Sequence, residues 1–217
     1  MQENLVKYLA GLCDSDGSFS FKFNPTKNGH RLHLLLHLTA AESIDKKGSF
    51  VKSLPELTGV GKVTSRKRNN WAIVNQWQVQ SKSDLEELLS KMIKHMIIKA
   101  SHWQALRDAY KNVEGKDLNE EDVNKLKTFS KNSRRNIKPL SPKFKPDWSW
   151  LAGYLDGDGS FMFKKHESGY GVKLSISAIS HKKDRVAIDL LHKTFEGQLS
   201  ERKDNCVEWK RNLGVDD

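Results

Sequence analysis

Cysteine is scarce in this chain: Cys13 and Cys206 are the only two in 217 residues. That is too few for a disulfide framework and suits a reducing compartment, and both are read as core thiols. Long apolar runs are missing too. The densest stretch, Leu32 to Leu38, is broken by His33 and His37 and falls far short of the roughly 18 residues that a membrane span needs. A secretory leader is not expected, because Glu3, Asp14 and Asp16 crowd the opening segment. Acid is short relative to base, with 27 Asp and Glu against 37 Lys and Arg and a net charge of +10. An excess of that sign favours a polyanionic partner, since neutralising phosphates with Lys and Arg releases counterions. The rest of the composition, 37% hydrophobic and 29% charged, describes a soluble globular chain long enough for one large or two small domains.

What the chain does have is a phrase said twice. Leu9 to Ser18 reads LAGLCDSDGS and Leu151 to Ser160 reads LAGYLDGDGS, 142 positions apart. Each copy runs into an alternating Phe-rich segment, FSFKF or FMFKK. Two copies of one structural unit follow, each expected to bring one acid to a shared place.

The periodicities fill in the unit. An apolar helix over Leu5 to about Cys13 ends at Asp14-Ser15-Asp16-Gly17, and strands are expected at Ser18 to Phe23 and Arg31 to Leu38. A short helix around Lys46 to Leu57 leads to strands at Lys62 to Arg66 and Trp71 to Val79. Ser83-Asp84-Leu85-Glu86 matches the Ser-x-x-Glu capping box, and Leu85, Leu88, Leu89 and Met92 follow at helical spacing. A further helix spans about Ala100 to Tyr110. The expected divisions are a first unit at 1–112, a linker with one short helix at 113–147 and a second unit at 148–217. In the second unit Phe161 and Phe163 face one way, Leu174 to Ala178 alternate, His181 to Phe195 is helical, and a hairpin closes at Gln198 to Lys210. No counterpart of the helices at 84–112 follows.

A carboxylate at a helix C-terminus faces the negative end of the macrodipole, which costs a few tenths to about 1 kcal/mol unless a cation is present. Glycine inside a helix costs roughly 1 kcal/mol relative to Ala, so Gly11 and Gly153 need a packing reason. Two helices packed through those small residues would bring Asp16 and Asp158 together. Hard oxygen ligands there favour Mg²⁺, and paired metals could activate water for phosphodiester hydrolysis. An EF-hand fits poorly, since Phe161 stands where that loop needs glycine and Pro25 where the first copy needs its bidentate Glu. A plain Asp-Gly helix cap accounts for either copy alone but not for the Leu-Ala-Gly that both share.

The two phrases, Leu9-Ala10-Gly11-Leu12-Cys13-Asp14-Ser15-Asp16-Gly17 and Leu151-Ala152-Gly153-Tyr154-Leu155-Asp156-Gly157-Asp158-Gly159, resemble the signature motifs of the LAGLIDADG homing endonucleases in their two-motif, single-chain form. The resemblance implies an α+β fold of two pseudo-symmetric αββαββα units, with saddle-shaped antiparallel sheets over DNA and the motif helices at the centre. It implies Mg²⁺-dependent cleavage of both strands of a long double-stranded DNA site, with Mn²⁺ able to substitute, by a monomer. Asp16 and Asp158 would bind metal with the carbonyls of Ser15 and Gly157, while Asp14 and Asp156 would be structural. Lys99 would order solvent near the scissile phosphate; His181 and Arg185, and in the first unit Glu42 or Ser43 with Lys46 or Lys47, would assist. With one such lysine the two strands would be cut at unequal rates. Intron-encoded relatives make a chloroplast or mitochondrion the expected setting. A maturase binding intron RNA and a catalytically silent DNA-binding protein are the alternatives on this scaffold.

The polar faces of the strands would do the reading: Ser18, Ser20, Lys22, Arg31, His33, His37, Arg66, Lys67, Arg68, Gln76, Gln78 and Gln80 in the first unit. Lys164, Lys173, Ser175, Ser177, Arg202 and Lys210 are their counterparts in the second. Arg and Gln present paired donors that suit guanine and adenine edges. Lys131, Arg134, Arg135, Lys143 and Lys145 would touch phosphates, which position without specifying.

Overall fold

The computed structural model describes residues 1–43, 50–68, 72–135, 145–165, 172–182 and 185–213. The first half runs α1 (Glu3–Ser15), β1 (Ser18–Thr26), β2 (Gly29–Ser43), α2 (Phe50–Thr58), β3 (Lys62–Lys67), β4 (Ala72–Val79), α3 (Lys82–Met92) and α4 (Ala100–Lys111). After α5 (Glu120–Arg135), the second half runs α6 (Trp148–Asp158), β5 (Gly159–Lys165), β6 (Val172–His181), α7 (Arg185–Phe195), β7 (Gln198–Glu201) and β8 (Cys206–Leu213). The eight strands form two four-stranded antiparallel sheets of the same order, β1-β2-β4-β3 and β5-β6-β8-β7. The α+β fold expected from the doubled phrase is thus the one observed.

Two compact units result, and they do not follow the order of the chain. One holds Met1, residues 16–93 and 99–138; the other holds 2–15, 94–98 and 139–217. Helix α1 therefore belongs with α6 in the second unit, and the reason lies at the two motif glycines. A Cβ on Gly11 would collide with the carbonyl oxygen of Trp150, and one on Gly153 with the carbonyl oxygen of Tyr8. The helices pack backbone on backbone. Leu9, Ala10 and Cys13 of α1 and Trp150, Leu151 and Tyr154 of α6 are fully or almost fully buried beside that crossing, with the rings of Trp150 and Tyr154 stacked 5.0 Å apart.

In the first unit the core face of the sheet carries Leu32, Leu34, Leu36, Leu38, Trp77 and Val79. Phe19 lies on that face, its ring 5.4 Å from that of Trp103 in α4. Within 113–147, the expected linker with one short helix, α5 has sixteen residues and buries Val123 with Leu32 and Leu118 against Phe21 and Phe23. In the second unit α7 buries Ala187, Ile188, Leu191 and Phe195 beside Val207 and Trp209. Phe161 and Phe163 occupy the positions equivalent to the covered phenylalanines yet are 57% and 74% exposed.

Several local expectations are corrected. The N-cap of α3 is Ser81, whose hydroxyl accepts from the Asp84 amide, so Ser83 sits inside the first turn rather than capping it. His181 ends β6 instead of opening a helix, and α7 starts at Arg185. Cys13 is fully buried, whereas Cys206 is only partly covered on β8. Helix α2 starts at Phe50, and Lys46 and Lys47 lie outside the described residues. Both sheets also share a lock that no motif announced. Trp77 Nε1 donates to the Val60 carbonyl at 3.0 Å, and Trp209 Nε1 donates to that of Glu196 at 2.5 Å. Beside each indole stands a glycine with positive φ, Gly61 at 79° and Gly197 at 100°, where a Cβ would strike the Trp ring nitrogen.

Gly11→Ala tests the crossing. In an unpacked helix this change would stabilise by roughly 1 kcal/mol; here the methyl must force the helices apart, a cost of about 1–3 kcal/mol. The urea midpoint is expected to fall, and a rise would disprove the close approach.

Candidate nucleic-acid interface and metal-binding acids

The chain leaves α1 through two acids with opposite fates. Asp14 is 2% exposed, and its carboxylate accepts from the amides of Ile97 at 2.6 Å and Ile98 at 3.0 Å. Those two amides lie just before α4 and have no helical partner of their own, so the buried charge is satisfied by backbone donors. Asp16, two residues on, is exposed. Partial burial pushes its carboxyl above the usual range, and the Lys99 ammonium pulls it part of the way back. Lys99 donates from Nζ to the Gly17 carbonyl at 2.7 Å. The lysine singled out in the sequence is therefore held beside Asp16.

The second copy is built differently. Asp156, the counterpart of Asp14, is exposed and accepts from Tyr8 Oη at 2.5 Å; burial first, and this carboxylate second, push the Tyr8 phenol far up. Asp158 is exposed at the end of α6. His181 lies at the end of β6, opposite Cys206, and its Nε2 is 3.3 Å from Asn205 Nδ2. Arg185 is tied down by Asp189 at 2.9 Å and Glu201 at 3.2 Å. Among the described residues no group of three or more His, Cys, Asp or Glu converges as a ready-made metal cage.

Strand register places most of the expected readers on one face of the first sheet. Ser18 pairs with His37 and His37 with Gln78; Lys22 pairs with His33; Thr39 pairs with Gln76. Lys22 donates to Gln80 at 3.0 Å, Gln76 to Thr39 at 3.1 Å, and Gln78 to Gln76. Arg31 bonds Asp117 at 3.3 Å. Arg66 shares that face, and with Arg68, Thr39 and Ala41 it lines a basic recess of about 590 Å³. Lys67, one residue on in β3 and exposed, has the opposite strand parity, yet it also borders that recess.

In the second sheet Ser160, Ser177, Lys210 and Gln198 lie side by side, as do Met162, Ser175 and Asn212. Ser175 and Ser177 retain only 3% and 2% exposure, since two small side chains on an inner strand are shaded by longer neighbours. Arg202 is engaged by Asp204 at 3.2 Å. Lys164 and Lys173 are paired across β5 and β6. Lys143 and the side chains of Glu42 and Ser43 lie outside the described residues.

Sequence reasoning missed His102. It is 3% exposed in α4, with Nε2 3.2 Å from the Phe19 carbonyl and Nδ1 2.7 Å from Ser133 Oγ. A carbonyl can only accept, so Nε2 carries the proton and the Ser133 hydroxyl donates to Nδ1. The ring thus joins β1, α4 and α5. Its only sequence signal is a histidine on the apolar side of a helix, which reads as core.

The comparisons with known proteins agree with this geometry. The family model described as LAGLIDADG endonuclease matches residues 9–112. A search of the curated proteins finds no match. Among solved structures, I-SmaMI bound to an uncleaved DNA target in the presence of calcium ions has a TM-score of 0.65 at 18% identity, covering 96% of this chain and 79% of that one. The LAGLIDADG homing endonuclease I-GzeII in complex with its DNA target scores 0.64 at 17% identity, covering 95% and 78%. I-SmaMI bound to cleaved DNA scores 0.64 at 21% identity, covering 95% and 77%. The first half of the chain carries the LAGLIDADG endonuclease signature, and the chain as a whole has the fold of these structures. The resemblance drawn from the doubled phrase is borne out.

Two outcomes follow. Asp14→Ala strands two buried amides at about 1–3 kcal/mol each, so amide exchange at Ile97 and Ile98 should quicken and the urea midpoint should fall; unchanged exchange would refute the role given to Asp14. Burial holds His102 and His37 below the ordinary imidazole value, with Arg134 and Lys99 pushing the same way. The folded state then binds fewer protons than the unfolded one, so stability rises with pH across the interval below about 6.5 and is lost on acidification. His102→Gln should flatten that part of the stability profile, and a profile that keeps its slope would contradict it.

Proposed function

We propose that the chain is a site-specific homing endonuclease that cleaves double-stranded DNA at a long site by metal-dependent phosphodiester hydrolysis. The observation that carries the reading is the pair of motif helices, packed backbone to backbone at Gly11 and Gly153, each leading into an exposed aspartate and a polar-faced sheet. Folding alone has no use for a carboxylate kept at the negative end of a helix dipole in both copies.

The donors suit a hard divalent cation such as Mg²⁺. The Asp16 carboxyl is raised by burial that Lys99 only partly offsets, so bound positive charge would relieve it. Mg²⁺ is ordinarily held by one or two carboxylates together with substrate phosphates rather than by an all-protein cage. In this proposal Asp16 and Asp158 hold metal, with the carbonyls of Ser15 and Gly157. A divalent ion bound there helps to ionise water and to stabilise the leaving oxygen. Lys99, anchored on the Gly17 carbonyl, places an ammonium where solvent beside the phosphate would be ordered. Arg185 could act only after leaving Asp189 and Glu201, so its role is secondary. The glutamines of β4 and Arg66 would meet base edges in the major groove. The solved structures of this fold named above hold bound DNA, which supports the same partner here, as does the net charge of +10. Action as a monomer in an intron-bearing organelle completes the proposal.

The test is to incubate the chain, Asp16→Asn and Asp158→Asn with a randomised duplex library in Mg²⁺ and to sequence the ends. Discrete ends are expected from the parent, and each variant should lose about a hundredfold or more of that activity while still retaining duplex on a filter. Specific duplex retention without ends from the parent would sink the nuclease reading.

A further inference from the structure

Helix α5 carries a charged edge that neither the motif acids nor the reading face uses. Its first turn holds Glu120, Glu121 and Asp122 and its last turn Arg134 and Arg135, an order the helix dipole favours by itself. The dipole does not explain Lys127 and Lys131. These two, with Ser130 and Arg134, stand at i, i+4, i+3 and i+7, one face of a helix. That face lines a groove of about 250 Å³ whose other wall is β1, including Ser18 and Ser20.

The groove is held open by neighbouring parts. Lys127 Nζ lies 5.7 Å from the centre of the Phe23 ring. His102 bridges the Phe19 carbonyl on one wall and Ser133 on the other, which fixes α5 against β1 one residue before Arg134. Among the described residues no carboxylate lies within ion-pairing distance of Lys127, Lys131 or Arg134, whereas Lys125 on another side of the same helix is paired with Glu121 at 2.7 Å. Three cations and three serine hydroxyls therefore share one open groove without an acid among them.

We infer that this groove is a phosphate clamp for one strand of duplex DNA. The inference rests on the proposed function and deepens it. β1 is the edge strand of the first sheet, and Ser18 and Ser20 belong to the polar face as well as to the groove, so the groove borders the face that reads the bases. A duplex lying on that face passes its sugar-phosphate rail over the border. Lys127 to Arg134 spans about 10 Å of helix, the rise of about three nucleotides at roughly 3.4 Å each. Hydroxyls and ammonium or guanidinium groups are the usual phosphate partners, and they set register without specifying sequence.

The experiment compares the full chain with the triple variant Lys127→Gln, Lys131→Gln, Arg134→Gln. A control, Lys111→Gln, Lys116→Gln, Lys125→Gln, loses the same charge away from the groove. Binding to a labelled duplex of mixed sequence is measured across a salt series, after circular dichroism shows that all three proteins are folded. If each groove cation neutralises one phosphate, the groove variant loses about 2 to 3 from the log-log salt slope, while the control keeps the parent's slope. Lys131→Arg alone should leave the slope intact. A parent that binds but whose groove variant shares its slope, or a control that flattens the slope as much, overturns the clamp and leaves the endonuclease reading standing. A parent that binds no duplex at all removes that reading and the clamp with it.

Discussion

Everything else in the fold depends on two helices touching through their backbones. At Gly11 and Gly153 no side chain stands between α1 and α6, so the crossing is set by main-chain shape and has almost no freedom to relax. Asp16 follows α1 directly and Gly159 of β5 follows α6. Ordinary side-chain packing, which tolerates rotamer changes, would hold the two helices to each other more loosely. Helix α1 accordingly joins the unit of α6 and not that of the sheet it precedes in the chain.

From the crossing outward the two copies diverge. In the first, Asp14 turns inward, collects two orphan amides ahead of α4 and is spent on architecture; the loop it fixes ends at Lys99, which reaches back to Gly17. In the second, Asp156 stays at the surface with Tyr8. The same letter in the same motif thus has two physical jobs, decided by whether buried backbone amides in need of an acceptor lie beside it. The phenylalanine strands show the same asymmetry: Phe19, Phe21 and Phe23 lie under α4 and α5, while Phe161 and Phe163 meet solvent.

Much of this was legible in the sequence because the phrase is doubled and the strands alternate strictly. Two-residue periodicity named the faces of β1, β2 and β4, and helical glycines named the crossing. What failed to show were features created by tertiary neighbours. Ser81 and Ser83 are equally good caps as letters, and the chain's path selects the first. His181 opens an apparent helical period but continues the ladder of β6, since a strand of alternating Ile and Ser extends as far as its partner does. Ser175 and Ser177 read as surface residues and are buried by the length of their neighbours. His102 looked like core, which it is, but its two ring nitrogens also join three elements, and nothing along the chain marks that.

The locks on Trp77 and Trp209 divide β4 and β8 by parity. Along β4, Trp77 and Val79 are fully buried, and the Trp77 indole is fastened to Val60 beside a glycine that admits no side chain, while Gln76 and Gln78, and Gln80 just past the strand, stay partly open. Substitutions at Gln76 and Gln78 are therefore nearly uncoupled from folding, whereas those at Trp77 and Val79, and at the buried Ala72 and Val74 where the strand begins, are coupled to it. A lineage carrying this strand can drift through many surface chemistries by single changes, each viable on its own. Selection would see such changes as differences in the surface presented, not in whether the protein folds.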